Sequence, residues 1–185
     1  MPDERDWFQV VAEQECEECA LEARAVAQGA LGAAISEEGH RWGALLTEHY
    51  EVEVLRRRPG ADVWSAIEYG AHVRDVLCLF RDRVVLALSE QEPEFSWWDH
   101  EASAVDDRYN EQDPPQVAAA LRSNAAGLVR SLPTPGDSAW DRAGTRRGRE
   151  RFTVEGLARF ALHEARHHRI DAARGCGESL SGPRA

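Results

Sequence analysis

Residues 163–168 read His-Glu-Ala-Arg-His-His and hold three of the seven histidines in a chain of 185 residues. In a helix, side chains at i and i+4 stand one above the other on the same face. The stretch therefore offers two chelating pairs, His163 with His167 and Glu164 with His168. A third imidazole, His72, lies in an earlier helical pattern. Two donors from one helix and one from another hold a divalent metal and leave a coordination position open. An open position serves chemistry, whereas a closed set of ligands serves structure.

Opposite faces of one helix cannot both point to a core, so the apolar pattern discriminates between the pairs. At 100° per residue, Val154, Leu157, Ala158, Ala161, Ala165 and Ala172 fall on one side, and Glu155, Arg159 and Arg166 on the other. Glu164 and His168 sit at the edge of the apolar side, in the column Leu157, Ala161, Glu164, His168, Asp171. His163 and His167 share a more lateral column with Phe160 and Ile170. Periodicity thus favours His72, Glu164 and His168 as the ligand set, with His163 and His167 as the alternative register. Asp171, one turn past His168, is placed to orient its imidazole, and Asp75 stands in the same relation to His72.

The elements that must position these residues are helical, because apolar residues recur at three- and four-residue spacing and strand-like alternation is scarce. A first helix is expected from about residue 30 to 50. Ser65 and Glu68 form a capping box for a second helix, which carries Tyr69, His72, Val76 and Leu79 to about Leu88. Asp113-Pro114 starts a third, ended by Pro133 and Pro135. Thr153 caps a fourth, which runs to about Ala173. Two long polar connections are expected, Glu90–Gln112 and Arg142–Arg151. The pattern predicts an all-α chain: a four-helix bundle with long connecting loops and a site built from inward-facing side chains. A single domain is expected over 1–185, with an N-terminal extension to about residue 25 and a flexible tail from about residue 175.

The net charge of −11 argues against binding to nucleic acids and anionic membranes, which needs a basic surface, while the local basic run from Arg142 to Arg151 reads as a solvated loop or an anion contact. No apolar stretch approaches the ~18 residues of a membrane span, and the charged first residues lack the apolar core of a secretory signal. A cytoplasmic location with reduced cysteines is expected. Cys16 and Cys19 have Cys-x-x-Cys spacing, but a zinc site needs two further ligands, and no second Cys-x-x-Cys exists. Cys78 reads as core and Cys176 as part of the tail. Trp64, Trp97 and Trp98 are candidates for an apolar pocket wall, and His100 and Tyr109 for hydrogen bonds to a substrate. A di-iron bundle would use Glu-x-x-His motifs from two helices, for which Glu37 with His40 and Glu164 with His167 are the candidates.

Two segments, 64–75 (WSAIEYGAHVRD) and 152–171, resemble the DinB/YfiT-like superfamily of metal-dependent enzymes, and most closely the branch of mycothiol-dependent maleylpyruvate isomerases. The resemblance implies a DinB/YfiT-type four-helix bundle with one metal ligand on the second helix and two on the fourth. His72 matches the first. The isomerase pattern Glu-x-x-x-His-x-x-Asp matches Glu164, His168 and Asp171, while the His-x-x-x-His of other branches matches His163 and His167. The isomerases carry a further C-terminal domain that this sequence lacks, so maleylpyruvate is not implied. The resemblance does imply a low-molecular-weight thiol as nucleophile, for S-transfer, isomerisation or detoxification. Zinc is the expected metal, with nickel and iron(II) compatible. Metal-dependent hydrolysis at the same site, or a non-catalytic metal-binding bundle, is the alternative. The expected partners are a small-molecule substrate and, in a homodimer, a second copy.

Overall fold

The computed structural model describes residue 11, residues 14–148 and residues 150–177. The expected tail from residue 178 and the first ten residues lie outside them. Four long helices form the bundle: α1 (Leu31–Thr47), α3 (Ala66–Ser89), α5 (Pro114–Ser131) and α6 (Val154–Gly175). Two short helices, α2 (Val52–Arg56) and α4 (His100–Asp106), lie in the connections.

The expected start signals are in place. Ser65 accepts from the Glu68 N–H while Glu68 accepts from the Ser65 N–H, a complete capping box. Asp113 caps α5 ahead of Pro114, and Thr153 caps α6 through the Gly156 N–H. Each cap satisfies backbone donors that a helix start leaves without an internal partner.

Helix α3 packs against α5 and α6, and α1 packs against the same two, so α1 and α3 face each other across a diagonal. Phe80 meets Phe160 and His72 meets His168, which makes α3 and α6 antiparallel. Gly32 approaches Val129 and Gly43 approaches Arg122, so α1 and α5 are antiparallel too. Arg74 and Arg81 of α3 meet Asn124 and Gly127 of α5, a parallel pair. The chain therefore runs up, down, down, up, and both the α1–α3 and α5–α6 connections cross the bundle.

The α3–α5 and α5–α6 connections are more structured than expected. The 90–112 segment contains α4, capped by Asp99, and a 3-10 turn at Tyr109–Glu111. The segment 142–151 is not a loop. It builds an antiparallel hairpin of β1 (Ala143–Arg146) and β2 (Glu150–Thr153), turned at Arg147 and Gly148, both with positive φ. The strands are four residues each and rich in arginine, too short for alternation to register. Cys78 is half-buried beside Arg81 rather than core, and Cys176 packs partly against the core just after α6.

Residues 14–30 also depart from a bare extension. They lie along α6, where Arg159 donates to the carbonyls of Ala23 and Val26, Arg166 to Cys19 O and Arg174 to Glu18 O. The face of α6 that periodicity assigned to solvent is covered by this segment.

Candidate metal centre

His72 enters from the second turn of α3, and Glu164 and His168 from adjacent turns of antiparallel α6. The three donor groups lie within 4.8 Å of one another. Glu164 Oε2 is 3.6 Å from His72 Nε2 and 3.5 Å from His168 Nε2. The two imidazoles stand edge to face, 5.0 Å between centroids. On the far side of His168, Nδ1 lies 3.3 Å from Asp171 Oδ2. The carboxylate there accepts from the Nδ1–H and holds the ring with Nε2 directed toward Glu164 and His72.

Asp75 does not play the matching role for His72. Its carboxylate accepts from Arg74 and from the Tyr109 hydroxyl, and His72 Nδ1 is buried with no hydrogen-bond partner among the described residues. Tyr109 is likewise withdrawn from any substrate role: it is fully buried. Being one turn from a histidine was too weak a criterion, because Arg74 and Tyr109 reach the carboxylate first.

The walls are aromatic. Trp98 stacks on His72 at 5.5 Å and 9°, and Trp64 meets its edge at 5.2 Å. Tyr69 stacks on His168 at 5.2 Å and 22°. Sequence reasoning placed Tyr69 on the apolar side of its helix without seeing a site residue. Its position one turn before His72 was the available signal. Trp97 points elsewhere: it is half exposed, with Arg147 lying 3.7 Å over its ring. His100, at the start of α4, is exposed, and its ring centroid is 5.7 Å from that of His72. Trp64 also lines an open cleft with Arg58, Glu68, Glu101 and Arg108.

Burial pushes His72 down to about 4 despite Glu164, so its ring is neutral at neutral pH. Burial also pulls on His168, but hydrogen bonds to Asp171 and Glu164 outweigh it and raise the ring to about 9. Burial alone would raise Glu164, yet His163, His168 and His72 together hold its carboxyl well below the usual range.

His163 and His167 do not compete for this cluster. They are more deeply buried than Glu164 and His168, which reverses the expected choice of inward pair. Their face is covered by the N-terminal segment, and there they meet Cys16 and Cys19. Cys16 Sγ lies 3.5 Å from His167 Nδ1. The two registers are both in use, on different sides of α6. The di-iron arrangement fails on placement: Glu37 and His40 face solvent, and Glu37 pairs with Arg41.

The comparisons with known proteins agree with the architecture. YfiT from Bacillus subtilis, described as a probable metal-dependent hydrolase with an unusual four-helix bundle topology, superposes with a TM-score of 0.67 at 19% identity, over 80% of this chain and 87% of that one. No curated protein matches the chain. A family model described as the DinB superfamily matches residues 35–172. That span takes in all of α3 and α5, most of α1 and α6, and the residues of the His72 cluster, and the chain belongs to the DinB superfamily.

Proposed function

We propose that the chain is a metal-dependent enzyme in which His72, Glu164 and His168 hold one divalent cation beside a small-molecule substrate. The carrying observation is the position of Glu164 between two imidazoles, at 3.5 and 3.6 Å. These distances are long for hydrogen bonds. They are close to the ~3.4 Å that separates neighbouring donors around a tetrahedral zinc. Nitrogen and oxygen donors do not select sharply, so nickel and iron(II) fit as well as zinc. When bound, the cation supplies Lewis acidity and lowers the pKa of the nucleophile beside it.

The chain's own residues do the rest. Asp171 fixes the ring of His168 through its Nδ1 proton. Trp98, Trp64 and Tyr69 exclude water from the histidine faces they cover. His100, exposed at the rim, is placed to carry a proton between a bound substrate and solvent.

A low-molecular-weight thiol is the nucleophile we favour, giving S-transfer or isomerisation. The support is the resemblance of Glu164, His168 and Asp171 to the pattern of thiol-dependent isomerases. Hydrolysis is the second reading, supported by the description of YfiT and by His100 as a base for water. Metal-replete protein assayed for thiol consumption with a panel of electrophiles, and in parallel for hydrolysis of activated esters and amides, separates the two. Either activity should vanish in His72→Ala and His168→Ala. Variants that keep both full activity and full metal content would sink the assignment.

A further inference from the structure

Cys16, Cys19, His163 and His167 form a second cluster whose four donor groups lie within 4.8 Å of one another. All four residues are buried, with 3%, 2%, 1% and 6% exposure. The spacings, Cys-x2-Cys and His-x3-His, are those of two-cysteine, two-histidine zinc sites. The local backbone suits the task. Cys16 bridges Leu21, its carbonyl accepts from the Ala20 N–H at 2.7 Å, and Ala20 adopts φ 50°. This tight reversal puts both sulfurs on the side facing α6.

We propose that these four residues bind a structural zinc ion, distinct from the His72 centre, that fastens the N-terminal segment to α6. Two sulfurs and two nitrogens converging from a turn and a helix select zinc among the common divalent ions. Four protein donors close the coordination sphere, so this site has no position for substrate. Apart from the arginine bonds to its carbonyls, the segment it fastens is ordered by two three-residue 3-10 turns and a few buried side chains such as Leu21 and Ala23. Short segments with a small apolar face commonly depend on such a cross-link. Because His167 and His168 are adjacent, the ion also fixes the helix that carries the other cluster. The inference does not depend on the proposed chemistry of His72, Glu164 and His168.

The test uses full-length protein purified from zinc-replete cells, with elemental analysis and titration by an organomercurial that displaces thiolate-bound zinc. We expect two zinc ions per chain, one of them released by the mercurial. Cys19→Ser should lose that ion and keep the other, and His72→Ala should do the reverse. Replacing zinc with cobalt(II) in the wild-type chain should produce sulfur-to-cobalt charge-transfer absorption, a readout that needs no folded variant. Three outcomes would overturn the proposal: no mercurial-released metal, no charge-transfer band in the cobalt form, or iron rather than zinc on the thiols. If the His72 centre alone fails to bind, the count falls to one, and that one is still mercurial-sensitive.

Discussion

His167 and His168 are neighbours in sequence, set nearly perpendicular with ring centroids 5.3 Å apart, and they serve different clusters while sharing one oxygen of Asp171. Oδ2 of that carboxylate lies 3.3 Å from His167 Nε2 and 3.3 Å from His168 Nδ1. Asp171 thus contacts a proposed ligand of each cluster from outside both. Asp171→Asn should weaken zinc binding at the His72 cluster by roughly 10–100-fold, the usual effect of removing a carboxylate behind a ligating histidine. Competition with a chromophoric chelator measures this. Unchanged affinity would show that His168 needs no such support.

Trp98 lies flat on His72, and that contact should report occupancy. Adding zinc to metal-free protein should change tryptophan fluorescence, and Trp98→Phe should remove most of the change while leaving zinc stoichiometry intact. Trp97→Phe should leave the response as it is, since that ring sits under Arg147. An equal response in all three proteins would place the reporting tryptophan elsewhere.

Glu68 supplies a pH-dependent part of the stability of α3. Burial opposes its ionisation, but the Arg58 guanidinium and the Ser65 N–H and hydroxyl outweigh it, so its carboxyl is held below the ordinary 4.5. A depressed carboxyl stabilises the fold above the unfolded value, and that contribution is lost as pH falls through the folded one. Arg58 is 43% exposed and its ion pair is screened, so we assign about 1–2 kcal/mol, chiefly to the cap. Urea denaturation should show Glu68→Gln less stable than wild type by that amount at pH 6–7, with the gap closing as pH drops below about 4.5. A gap that is constant with pH would rule out ionisation as the cause.

The hairpin depends on Gly144. A methyl group there would sit 2.7 Å from the Pro93 carbonyl oxygen and collide with the Phe95 ring. At this point the Thr145 N–H donates to the Pro93 carbonyl and the Phe95 N–H to the Thr145 carbonyl, so the neighbour cannot easily give way. Gly144→Ala should cost about 1–3 kcal/mol, seen as a lower Tm. A variant as stable as wild type would show that the 93–95 strand is free to shift.

The bundle was legible because its helix starts are written as side-chain caps and its helices as apolar periodicity. Ser65 with Glu68, Asp113 with Pro114, and Thr153 all fall where the helices begin. Helical spacing pairs Glu164 with His168 and puts His72 on the apolar side of its own helix, but the deeper burial expected of that pair belongs to His163 and His167. The second cluster is harder to see because its halves lie in separate segments. Cys16 and Cys19 alone fall two ligands short of a zinc site, and His163 and His167 alone match the alternative register for the other cluster. Adding the halves gives four ligands at zinc-site spacing. Periodicity argued against it because it assumes that a helix has one covered side, and α6 has two. The hairpin escaped for a different reason: its order comes from long-range contacts, Arg142 with the carbonyls of Ala87 and Glu90, and Thr145 with Pro93.

Arg159, Arg166 and Arg174 hold the N-terminal segment entirely by its main-chain carbonyls. A guanidinium that grips carbonyl oxygens is indifferent to the side chains between them. Residues 17, 22, 24, 25 and 27 are thereby free to drift over evolution while docking persists. Related sequences that keep the three arginines should vary there widely, with selection acting on Cys16, Cys19, the turn residue Ala20 and the buried or core-packed Leu21, Ala23 and Val26.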